Sequence, residues 1–148
     1  MNALLFDLSF YVAVPFWALL ILAPTWRWTR RIAGSPWIVA PVLVVWLVLA
    51  VPVFPELLAA VTRPSLTVLQ SLLQDPGAVA LVWAQIIGWD LFIGRWMYLD
   101  SRERDVHPLV MAPVLVATIL LSPIGLPLYL AIRPYVGRRQ AVVAPAAR

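Results

Sequence analysis

The chain has 148 residues, 63% hydrophobic and 12% charged, with a formal net charge of +4. A soluble domain of this size carries roughly 45–50% apolar and about 25% charged residues. The composition therefore excludes a water-soluble globular domain, and its hydrophobicity excludes disorder.

The apolar residues suffice for four segments of about 20 residues, the length that crosses a bilayer. The spacing predicts an all-α protein, a four-transmembrane-helix bundle with short loops. The first helix, 3–24, carries one charge, Asp7. It lacks the basic start and cleavage site of a signal peptide and reads as a retained span. The second, 36–58, has Glu56 near its end, and the third, 76–99, contains Asp90 and Arg95. The fourth, 108–132, is uncharged. Ser35-Pro36, Asp75-Pro76 and His107-Pro108 each place a polar residue before a proline. Proline suits the first helical position, where its missing N–H has no partner to lose, and serine and aspartate are good N-caps.

Between the second and third spans, Leu66, Leu69 and Leu73 follow helical spacing. A short helix lying in the membrane interface fits this pattern, and so does an ordered loop. Residues 1–135 form one membrane domain, and 136–148 read as a disordered tail. Trp26, Trp28, Trp37, Trp83 and Trp96 fall near span ends, where indoles favour the headgroup zone. Trp46 and Trp89 fall deeper and are candidates for a ligand site or a helix interface.

With four crossings, Arg63, Arg133, Arg138, Arg139 and Arg148 share one face, and Arg27, Arg30, Arg31, Arg102 and Arg104 the other. Five against five gives the positive-inside rule no decision. The arginines after the first helix favour a cytoplasmic location for the first and third loops.

The absences exclude chemistry. Without cysteine there is no disulfide, thiolate metal centre or cysteine nucleophile. Without lysine there is no Schiff base, and one histidine, His107, cannot build a multi-histidine iron site. No G-x-S-x-G, phosphate loop or dinucleotide fingerprint occurs, so no cofactor and no metal are expected. No basic stripe or nucleic-acid motif is present, and nucleic acid is not an expected partner.

What remains is the segment from Trp83 to Asp100. An ionised Asp90 inside the hydrocarbon costs about 2.5–3.5 kcal/mol on insertion scales and reads as a functional position with a partner. Arg95, five positions on, is one candidate. Trp83, Ile87, Asp90, Gly94 and Met97 share a helix face, and Gly94 admits a helix or a flat ligand close to Asp90. One reading is a mutually paired charged rim that fixes helix packing. The other is an acid/base or headgroup pocket with Asp90 at its floor. His107 by itself reads as a helix cap.

The run Trp83-x-Gln85, Asp90-Leu91-Phe92, Arg95 and Asp100, then His107 and Ser122-Pro123-Ile124-Gly125, resembles the abscisic-acid-deficient-four-like family of small four-helix membrane proteins. Val14-Pro15-Phe16-Trp17, Ala23-Pro24 and the basic turn Arg27 to Arg31 resemble it too. In plants this family is implicated in forming neoxanthin from violaxanthin. The resemblance implies a carotenoid, xanthophyll or other isoprenoid ligand. It implies catalytic roles for Asp90, Arg95, Asp100 and His107, and ligand contacts for Trp83 and Gln85; Trp89, by its depth, and Gly94, by its place on the Asp90 face, are the further candidates for ligand contacts. The plant motif has histidine where this chain has Gln85. The expected partners are membrane lipid, a carotenoid ligand, and a second copy or a larger membrane complex. A non-catalytic pigment-binding or assembly subunit is the alternative to an enzyme, and a small transporter is a third.

Overall fold

Helix is the only regular secondary structure among the described residues, 1–136, of the computed structural model. The segment 136–148, read above as a disordered tail, lies outside them except for Val136, which ends the last helix. Prolines decide where the apolar stretches break. The first comprises α1 (Asn2–Tyr11) and α2 (Val14–Leu22). Pro15 has no N–H to give to Tyr11, so the helix loosens just before it. After α3 (Arg27–Gly34), two 3-10 turns, Pro36–Val39 and Val51–Val53, flank α4 (Ala40–Ala50), and α5 (Phe54–Thr62) follows. Both 3-10 turns contain a proline, as such tight connectors often do.

The region 63–74 contains a helix, α6 (Leu66–Leu72). Ser65 caps it, its Oγ accepting from the Val68 amide at 3.2 Å. α7 (Pro76–Glu103) runs 28 residues without interruption, because no proline follows Pro76 until residue 108. Three stretches are long and apolar enough to cross a membrane: Asn2–Leu22, Pro36–Thr62 and Pro76–Glu103. The second and third reach beyond the expected ends at 58 and 99.

The expected fourth helix, 108–132, is two helices, α8 (Pro108–Leu120) and α9 (Ser122–Val136), broken at Leu121 (φ −154°, ψ 81°). Pro123 cannot donate to Ile119 and its ring would clash with that carbonyl, but it fits the first turn of a new helix. At 13 and 15 residues, α8 and α9 are each about 20 Å long, short of a hydrocarbon core of about 30 Å.

The chain packs as two units: 1–16 with 39–89, and 17–38 with the chain from Asp90 onward. In the first, Val45, Leu49 and Ala50 of α4 cluster with Ala80, Leu81 and Ala84 of α7. Ala80, Ala84 and Gly88 recur every four residues, a small-residue stripe that lets helices approach closely. Val42 lies 3.6 Å from where a Gly88 Cβ would sit.

In the second unit α7 ends at a tight reversal. Asp105 has φ 51°, a left-handed conformation that aspartate tolerates better than most residues. The Val106 amide closes back on the Ser101 carbonyl at 2.9 Å, as in a Schellman cap. α8 then runs back along α7, with Thr118 Oγ1 reaching Met97 Sδ at 3.8 Å. α9 reverses again. Its first residue, Ser122, neighbours Asp90, and Arg133 reaches Asp100. α8 and α9 therefore form a hairpin whose two ends lie at the same end of α7. The placement of Arg133 on the face opposite Arg102 and Arg104 is corrected accordingly. Large apolar side chains such as Leu22, Leu109 and Leu120 are more than 70% exposed. An apolar exterior of this kind fits lipid rather than water.

Candidate functional site

Asp90 lies midway along α7, 14 residues after Pro76 and 13 before Glu103. Only 6% of it is exposed, and no cation pairs with it among the described residues. Its polar neighbour is Ser122, the first residue of α9. The amino end of a helix carries partial positive charge, so it favours a carboxylate beside it. The hairpin tip thus supplies the partner that the sequence reading sought in Arg95.

Arg95 is engaged elsewhere. Its Nε and Nη2 donate to the Ser35 and Gly34 carbonyls at 3.3 and 3.0 Å, at the carboxyl end of α3. A cation there satisfies orphan carbonyls and complements the helix dipole.

Asp100 is the centre of a polar node. Arg133 binds it through Nε to Oδ2 at 2.9 Å and Nη2 to Oδ1 at 3.0 Å. Arg104 Nε donates to Oδ2 at 2.9 Å, and the Tyr129 hydroxyl donates to the same oxygen. Arg133 also sits 5.9 Å from the Trp96 ring, which packs edge-on against Tyr129. Both Asp100 oxygens are thus engaged, in charge-assisted hydrogen bonds that tie α9 to α7. The sequence reading missed Ser122 as the partner of Asp90, and Tyr129 and Arg133 as partners of Asp100. A signal existed: the three stand at intervals of seven and four residues, on one stripe of a helix.

His107 caps α8, its Nδ1 accepting from the Leu109 amide at 3.3 Å. The cap reading is thereby borne out in the geometry. Gly94 does permit close approach, and Trp17 of α2 occupies the space. A Cβ at Gly94 would lie 2.5 Å from Trp17 Cζ3. Trp17 is buried whereas Trp89 is 61% exposed.

Trp83 and Gln85 belong to the first unit. Trp83 stacks on Phe6 at 5.1 Å, and its buried Nε1 has no hydrogen-bond partner among the described residues. Together with Asp7, Phe10 and Tyr11 these two rings line a groove of about 200 Å³. Gln85 is partly buried.

The second unit therefore joins Asp90 to Ser122 and uses Arg95, Asp100 and His107 to hold the helices around them. Among the described residues, no group of three or more His, Cys, Asp or Glu side chains converges as a metal site. The family model described as ABA DEFICIENT 4-like matches the chain over residues 4–129. No curated protein and no solved structure gives a significant match.

Proposed function

The chain belongs to the ABA DEFICIENT 4-like family, and from that premise we propose an integral membrane protein that binds and acts on a carotenoid or other isoprenoid lipid. The observation that carries this reading is the meeting of Asp90 with Ser122. These residues belong to the two separate segments on which the family resemblance in this half of the chain rests. Asp90 then lies near the bilayer midplane, where a polyene would also lie.

Opening an epoxide to an allene needs an acid at the epoxide oxygen and a base for a neighbouring C–H. Asp90 is the group assigned to the acid. It has no salt bridge to surrender, and Ser122 orients it. The alternative is a non-catalytic pigment-binding or assembly subunit. It draws support from the structural engagement of Arg95, Asp100 and His107.

The test is to purify the protein with extracted pigments and follow the visible spectrum. The wild type is expected to convert the pigment, and Asp90→Asn to bind it with conversion at least about 100-fold slower, the contribution usual for a general acid. Conversion unchanged in Asp90→Asn removes Asp90 as the acid. Bound pigment without conversion in the wild type favours the binding subunit.

The four crossings expected above give way, in this proposal, to three crossings and a re-entrant hairpin. The face of α3 then carries Arg27, Arg30, Arg31, Arg102, Arg104 and Arg133, against Arg63 on the other among the described residues. The positive-inside rule makes the α3 face cytoplasmic, at the plasma membrane if the source is bacterial. α6 is assigned to the opposite interface. The chain has no cysteine, so single cysteines report sidedness directly. On intact cells an impermeant maleimide is expected to label Ser65→Cys but not Tyr135→Cys. A chain crossing four times would label both alike.

A further inference from the structure

α3 presents an arrangement that neither Asp90 nor the charged node uses. Arg27 and Arg31, one helical turn apart, both lie over the ring of Trp28, at 5.6 and 5.4 Å from its centroid. The three side chains line a surface pocket of about 230 Å³. Like charges four residues apart destabilise a helix, and neither guanidinium has a carboxylate partner among the described residues. The indole face relieves part of that repulsion. An anion between the two guanidiniums would relieve the rest.

The helix is also held in place. Thr29 is buried and donates through Oγ1 to the Ala23 carbonyl at 2.7 Å. The Tyr98 hydroxyl donates to the Pro24 carbonyl at 2.7 Å, just before the helix. Arg95 holds the two carbonyls at its end. Such anchoring turns Thr29 and Ala33 inward and leaves Arg27, Arg31 and Trp28 exposed. α3 also sits directly between two membrane-length stretches, Asn2–Leu22 and Pro36–Thr62.

We propose that Arg27, Trp28 and Arg31 form a binding site for the headgroup phosphate of an anionic phospholipid. The site fits that chemistry in three respects. The paired guanidiniums match a phosphate bidentately. The amphipathic indole sits at headgroup depth. The position between two spans brings the lipid to the site without diffusion through water. The inference rests on the membrane reading of the chain, which cysteine labelling tests independently.

The experiment uses the full chain, purified in a neutral detergent and supplied with phosphatidylglycerol, phosphatidylcholine or inorganic phosphate. Lipid retained is measured by native mass spectrometry, and folding by helicity and Tm without lipid. The wild type is expected to retain phosphatidylglycerol in preference to phosphatidylcholine. Arg27→Gln with Arg31→Gln is expected to weaken that retention about 30-fold, from two interfacial charges. Arg63→Gln, outside the site, is expected to leave it unchanged. Equal retention by the double variant overturns the site. So does a wild type indifferent between the two lipids. Competition by inorganic phosphate at equal concentration overturns the lipid assignment in favour of a small-anion site.

Discussion

Asp100→Ala is expected to lower stability by about 3 kcal/mol, read as thermal or denaturant unfolding in detergent. The carboxylate accepts from Arg133, Arg104 and Tyr129, and removing it strands all three donors. Breaking a buried, hydrogen-bonded ion pair costs about 3–5 kcal/mol. The Asp100 side chain is only 12% exposed, but its arginines are 33% and 36% exposed. Water recovers part of their loss, which puts the expectation at the lower end. Asp100→Asn keeps an acceptor without the charge and should cost about half as much. Arg104→Gln leaves the Arg133 pair intact and should cost under about 1 kcal/mol. Because Arg133 and Tyr129 tether the far end of α9, Asp100→Ala should also make Tyr135→Cys react faster with maleimide. Wild-type stability in Asp100→Ala would mean that the node holds nothing together.

Gly125→Ala is expected to cost about 2–3 kcal/mol and to open the hairpin. A Cβ there would stand 2.6 Å from Thr118 Cα and 2.7 Å from its backbone nitrogen. Backbone cannot swing aside as a side chain can, so α8 and α9 must separate. Overpacking of this kind usually costs about 1–3 kcal/mol. Gly34→Ala is the control. Nothing lies within 4 Å of its Cβ position, and an alanine in helix is intrinsically favourable by about 1 kcal/mol. Equal stability of Gly125→Ala and wild type would show that the two helices do not meet at Gly125. A reduced Tm together with the loss of conversion expected of Asp90→Asn would link the hairpin tip to the site.

The two predictions concern different parts of one assembly in the second unit, and they differ in legibility. Gly125 was visible only as part of Ser122-Pro123-Ile124-Gly125, one of the runs that carry the family resemblance. Asp90 was visible because a carboxylate in an apolar helix demands explanation. The partner was not visible. Arg95 was nearer in sequence, but the carboxyl end of α3 takes both its donors. Ser122, 32 residues later, fills the place beside Asp90. Arg133 was misplaced and Tyr129 missed for one reason. A chain assumed to cross a fourth time carries them to the opposite face, although their spacing from Ser122 already marked a polar stripe.

Composition, periodicity and proline placement by themselves determined the helical class, the three membrane-length stretches and most of their starts. Those properties are local: hydropathy over about 20 residues sets a span, and a missing N–H sets a break. Only the tertiary structure decided what the break at Leu121 becomes. Proline in a membrane helix permits a kink or a reversal alike. The choice between them comes from contacts far apart in the chain, Arg133 with Asp100 and Ser122 with Asp90. No local pattern encodes the energy of those contacts.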